Sequence, residues 1–232
     1  MSSWSPFFAL AIFPLAYFVA INPVGFSWNF RRGLNPMPPE LLERVRHIDR
    51  YVVTIRNAIA LSLLAALILH QSITARQVGL HLNNWLSNSL IGVFAGLMVL
   101  TLQGMVRKFL PVLNKNPNNP ELQNGPAWFW IVSTLFSALA EELWIAVCIV
   151  VLIQTSHSIL ASVLVTASVF GLLHFAYRFG GILAIGSYGA ISGSLFVLRG
   201  SLLPLFLFHF IGNLGVLYWI RRGAASSTPG GV

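Results

Sequence analysis

Seven apolar runs, each about 20 residues long, decide most of what this chain can fold into. They lie at roughly 6–24, 51–70, 86–106, 128–153, 158–177, 181–198 and 201–220, the sixth being rich in glycine. Runs of that length match the hydrocarbon core of a bilayer. Inside lipid, every backbone N–H and C=O must be satisfied within the protein, which only helices and closed barrels achieve. The runs are too long and too continuously apolar for barrel strands. The expected fold is all-α: a polytopic transmembrane helix bundle of about seven spans, with any polar cluster in its interior. Composition agrees, since 9% of the 232 residues are charged, against about 25% in a soluble domain.

The connections set the topology. The first run has no basic residue before it, so it lacks the opening region of a cleavable signal and reads as a retained helix. Two connections are long, 25–50 and 107–127, and "NKNPNNPELQNGP" in the second is rich in helix breakers. Lys and Arg alternate along the chain. Eleven fall in the first, third and fifth connections and the C-terminus, and two in the N-terminus and the even-numbered connections. The positive-inside rule then puts the N-terminus outside and the C-terminus in the cytoplasm. The net charge of +8 is thus a topology signal facing a lipid bilayer, and no nucleic-acid partner is expected. Arg56 lies near the cytoplasmic end of the second run, where it can snorkel. Trp128 and Trp130 suit the headgroup zone at the start of the fourth. Short loops and compact size favour a bacterial plasma membrane. Residues 1–232 read as one integral-membrane domain without internal repeats, and 223–232 as a disordered tail. The single cysteine, Cys148, allows no internal disulfide.

Against this background "FSALAEELWIAV", residues 136–147, stands out. Glu40, Glu43, Asp49 and Glu121 fall in the connections, but Glu141 and Glu142 fall inside a span. A charge at the centre of a membrane helix costs about 2.5–3.5 kcal/mol even on lenient scales, so an intramembrane carboxylate points to function. No basic residue shares that span. Of the six histidines, His47, His70, His81 and His157 fall in connections or near span ends, whereas His174 and His209 lie within the fifth and seventh runs. A hairpin folded between His157 and Ser158 puts Glu141 and His174 at equal depth, the same number of 1.5 Å steps from the turn. His209 and Asn213, at i and i+4, share a helix face.

A carboxylate in an apolar site can act as general base, and an imidazole beside it can orient or share the water proton. An imidazole and a carboxamide on one face can donate to a developing oxyanion. One Glu with two His can also hold a metal in the open three-ligand manner of catalytic zinc. No HExxH is present, so the usual zinc-protease helix is absent.

These residues resemble the CAAX-protease and bacteriocin-processing family of intramembrane proteases, which includes the Ras-converting CAAX endopeptidases. Its marks are EExxxR, FxxxH and HxxxN or HxxxD on successive helices. Here they read Glu141-Glu142-Leu-Trp-Ile-Ala146, Phe170-Gly-Leu-Leu-His174 and His209-Phe-Ile-Gly-Asn213. The resemblance covers 128–220, the expected catalytic core, with a weaker echo in "RQVGLHLNNW". It implies an endopeptidase acting on a membrane-associated protein or peptide. It implies Glu141 as general base, His174 as its partner on water, and His209 with Asn213 as oxyanion hole. Glu142 and Phe170 are supporting residues. No cofactor is favoured, and a divalent metal such as zinc is the alternative. The motif arginine is missing, Ala146 standing in its place. Glu142 is then protonated, bonded to neutral groups, or paired from another helix, with Arg178 nearest in sequence. A catalytically silent relative serving as immunity factor or scaffold, and a proton-coupled transporter, are the competing readings.

Overall fold

The computed structural model describes residues 7–12, 39–70, 73–109, 127–174 and 178–226. Among them are seven helices and no strand: α1 over 7–12, α2 Pro39–His70, α3 Trp85–Phe109, α4 Ala127–Ser156, α5 Ile159–Leu173, α6 Arg178–Arg199 and α7 Leu202–Ser226. Each expected run overlaps one helix, the first over 7–12 alone. The protein is a helical membrane bundle. Among the described residues, three helices are long and apolar enough to cross a bilayer, with spans Trp85–Met105, Trp128–Ser156 and Ile182–Arg199, and the described apolar stretches of three others are Ile55–His70, Ile159–Leu173 and Leu202–Tyr218.

Two boundaries differ from the expected ones. Helix α2 starts at Pro39, so Glu40, Glu43 and Asp49 lie on a helix rather than in a loop. Proline at the first helical position loses no bond, because that N–H has no partner inside the helix anyway. Helix α7 runs to Ser226 and so enters the segment expected to be a disordered tail. Residues 13–38 and 110–126, which hold most of the two long connections, lie outside the described residues, as do 227–232.

Helix α4 is the axis of the bundle. It packs against α2, α5, α6 and α7. Every residue from Glu141 to Ile149 is buried, as expected of a helix apolar on all sides. Trp144 is fully buried and its indole Nε1 donates to the carbonyl of Ala9 at 2.9 Å, which ties α1 to the axis. At the start of α4, Trp128 is exposed, whereas Trp130 turns inward and is buried.

The α4–α5 hairpin closes where spacing places it. His157 N–H donates to the carbonyl of Ile153, His157 then adopts a left-handed conformation (φ 55°), and the Ser158 side chain caps α5 by accepting from Ala161 N–H. Helix α6 returns antiparallel to α5 at glycine-to-glycine range. A Cβ on Gly171 would sit 2.7 Å from the carbonyl oxygen of Ile182, and Gly186 Cα lies in the same contact. Small residues allow such approach where lipid gives helices no hydrophobic reason to associate. Helices α3 and α7 run parallel, Gly92 facing Pro204 and Gly96 facing Ile211. The 73–84 connection locks their common end. Gly79 (φ 77°) accepts from Leu202 N–H, and the His81 ring bonds the Gly200 carbonyl at 2.8 Å.

Candidate active site

Consecutive residues on a helix project about 100° apart, so Glu141 and Glu142 leave α4 in different directions. Glu141 faces α2 and α7. Its Oε1 accepts from Ser137 Oγ, one turn back on α4, at 2.8 Å, and from the Arg56 guanidinium at 3.3 Å. Glu142 faces α6 and α7, is fully buried, and its Oε1 accepts from Ser192 Oγ at 3.0 Å.

His209 joins the two. Its Nδ1 lies 2.6 Å from Glu142 Oε1, and its Nε2 lies 3.5 Å from Glu141 Oε2. One imidazole therefore bridges adjacent carboxylates in a region from which water is almost wholly excluded. The short bond holds a proton between Nδ1 and Glu142. For Nε2 to carry a proton as well, the ring must be imidazolium, or Glu142 must donate to a bare Nδ1.

His174 closes α5. Its Nδ1 lies 2.8 Å from the carbonyl oxygen of Phe170. A carbonyl only accepts, so Nδ1 holds the proton, and Nε2 of the neutral ring carries a lone pair. The Phe170 ring stands edge-on to His174 at 4.9 Å between centroids and to His209 at 6.5 Å, a wedge between the imidazoles. His174 lies near Glu141. Asn213 follows His209 by one helical turn and is half-buried. Among the described residues no hydrogen bond links it to the cluster.

Glu141, Glu142, His174, His209 and Phe170, singled out from sequence, thus converge from α4, α5 and α7, while Asn213 stands on the same helix one turn away. Four further residues reach the cluster. Ser137 shares a face of α4 with Glu141, at i−4, but is not singled out from sequence. Ser192 and Tyr188, both on α6, carried no local signal. The Tyr188 ring lies 5.1 Å from that of His209 and stacks on Phe208 at 4.3 Å. Its hydroxyl and Glu142 Oε2 are buried and lack a hydrogen-bond partner among the described residues. Arg56, expected at the headgroups, turns inward instead. Arg178, the counter-ion nearest in sequence, has its side chain outside the described residues.

An apolar groove of about 310 Å³ opens between α4, α7 and the 79–82 turn, lined by Leu80, Leu82, Leu139, Leu203 and Phe206. It involves both helices that carry the carboxylate–imidazole bridge.

Fold and site together define a class: a helical membrane bundle with a buried glutamate–histidine centre. Residues 123–215 match the family model described as type II CAAX prenyl endopeptidase Rce1-like. That segment contains all three motifs, and over it the chain resembles the CAAX-protease and bacteriocin-processing family. No curated protein and no solved structure matches the chain.

Proposed function

We propose that this protein is an intramembrane endopeptidase that uses Glu141 to activate water. The observation that carries the reading is the His209 imidazole held between two adjacent carboxylates in an apolar interior. Such an arrangement is costly to bury, which points to a role in moving protons. The family match adds that the class is one of peptide-bond hydrolysis.

The division of labour follows from which atoms are already engaged. Glu141 Oε1 is occupied by Ser137 and Arg56. Its Oε2 lies 3.5 Å from His209 Nε2, longer than a good N–H···O bond, and is the oxygen proposed to take a proton from water. The His174 Nε2 lone pair accepts the second proton of that water as a hydrogen bond and aims the oxygen. Attack on the scissile carbonyl forms a tetrahedral oxyanion. His209 Nε2–H and the Asn213 carboxamide donate to it, each such donor contributing about 3–4 kcal/mol. When the C–N bond breaks, the proton on Glu141 passes to the leaving amine. Glu142 holds the proton distribution of His209, and Phe170 fixes His174 through its carbonyl.

The reaction as proposed needs no metal. Both His209 nitrogens are directed at carboxylates, and His174 Nδ1 at a carbonyl. Among the described residues no three His, Cys, Asp or Glu side chains form a metal-holding group. We therefore propose the metal-free route and assign no step to a metal.

The proposed substrate is the C-terminal region of a lipid-modified, membrane-associated protein or peptide. The apolar groove beside α4 and α7 suits a hydrocarbon chain on it. The test uses the purified protein in lipid vesicles with an internally quenched peptide that ends in a prenylated Cys-aliphatic-aliphatic-X sequence. Hydrolysis by the wild type, resistant to chelator and lost in Glu141→Gln, is the expected result. Equal hydrolysis by Glu141→Gln removes Glu141 as the base, and no hydrolysis by the wild type favours a catalytically silent relative.

A further inference from the structure

We infer that Arg56 is a positioning residue for Glu141, supplied by α2 from outside the segment that matches the family. This inference rests on the reading of Glu141 as the base.

The charge count at the site demands such a group. Two carboxylates on consecutive residues share one imidazole. Helix α4 offers no cation one turn on, because Ala146 occupies that position and is fully buried in the apolar core. Among the described residues, no lysine and no other arginine is paired with either glutamate. Arg56 lies at the start of the apolar part of α2. Its guanidinium reaches Glu141 across 85 residues of sequence.

The contact is built rather than incidental. The neighbouring Asn57, itself buried, accepts from Arg56 Nε at 3.0 Å and from a terminal nitrogen at 2.9 Å, which fixes the plane of the guanidinium. That same terminal nitrogen lies 3.0 Å from Ser137 Oγ and 3.3 Å from Glu141 Oε1, its two hydrogens shared among the three acceptors. Ser137 then donates to the same Oε1 at 2.8 Å. Arg56, Ser137 and Glu141 close a three-membered ring of polar contacts on a single carboxylate oxygen. With Oε1 held, rotation about the terminal bond of Glu141 is blocked and Oε2 is left facing His209. Arg56 touches no reacting atom in this scheme. It acts through Glu141, by orientation and by compensating its charge.

Its position in the chain has a consequence. Residues 123–215 hold the three motifs, yet the counter-charge for the first glutamate comes from residue 56. The matched segment is thus incomplete as a site without α2.

The test combines turnover with a stability cycle on the full-length protein in lipid vesicles. Turnover is read on the internally quenched prenylated peptide for wild type, Arg56→Gln, Arg56→Lys and Glu141→Gln. Thermal unfolding is read for the two glutamine variants and their double. The expected result is a kcat lowered about 10²-fold in Arg56→Gln with KM within about twofold, as for loss of orientation at the reacting centre. Arg56→Lys should recover part of that kcat. In the cycle, Arg56→Gln should lower Tm in the wild-type background and change it little once Glu141 is already glutamine. Wild-type kcat in Arg56→Gln, alongside an inactive Glu141→Gln, overturns the positioning role and leaves the base assignment standing. Additive Tm shifts overturn the coupling itself, whatever the turnover shows. Full activity in Glu141→Gln, or none in the wild type, instead defeats the functional reading, and the cycle still decides whether Arg56 and Glu141 act as a pair.

Discussion

At the scale of single residues, the adjacent glutamates have different jobs because a helix points them in different directions. Glu141 has one oxygen bound by two donors and one near an imidazole. Glu142 has one oxygen in a 2.6 Å bond and one without a partner among the described residues. Replacing Glu141 by glutamine is expected to cut turnover by about 10²–10⁴-fold, the usual contribution of a positioned general base. A stopped assay on the prenylated peptide checks this. Ser192→Ala removes a donor from a fully buried carboxylate, a change that costs about 1–3 kcal/mol. Thermal unfolding in detergent should show that loss. Residual turnover after Ser192→Ala should exceed that of Glu141→Gln, because Ser192 contacts Glu142 alone.

Sequence legibility at this scale was uneven for a physical reason. Glu141, Glu142, His174 and His209 announce themselves because each is a polar group in an apolar run, and a polar group there is costly. Ser137, Ser192 and Tyr188 do not, since a hydroxyl in a membrane helix can return a hydrogen bond to its own backbone at little cost. Arg56 misled. At the end of an apolar run the inexpensive option is to reach the headgroups, and only the position of α4 shows that a carboxylate lies closer.

At the scale of elements, the α4–α5 hairpin carries Glu141 and His174, the proposed base and its partner, and α6 braces it. The α5–α6 contact depends on glycine at the crossing. Gly171→Ala places a methyl group 2.7 Å from the Ile182 carbonyl oxygen, so the helices must separate. Overpacking of this kind costs about 1–3 kcal/mol. Because α5 carries His174 and α6 carries Ser192, Gly171→Ala should lower both Tm and kcat. Leu164→Ala on the same helix is the control. Leu164 is exposed on α5, and its replacement should leave turnover unchanged. The glycine richness of the sixth run reads from sequence alone as a weak span. In the bundle it is the requirement of close packing.

At the scale of the whole molecule, the bundle is organised around α4, the most buried of the long spans, and the polar centre sits against it. The distribution of basic residues predicts an external N-terminus and a cytoplasmic C-terminus. Reporter fusions to each end in a bacterial host check this, and a C-terminal reporter active outside the membrane would reverse the orientation. The direction of every helix would then invert, while the internal geometry of the site would remain.

The sequence by itself determined the helical membrane class, the approximate spans, the hairpin that levels Glu141 with His174, and the motif residues. Each of these follows from local rules: the length of an apolar run, the rise per residue of a helix, the cost of a charge in lipid. Only the tertiary structure decided that His209 bridges both glutamates, that Asn213 stands apart from them by a turn, that α2 begins at Pro39, and that Arg56 turns inward. These outcomes depend on which faces of distant helices meet. Partners such as Glu142 and His209, 67 residues apart in the chain, are chosen by packing, and the hydropathy of a single span carries no record of that choice.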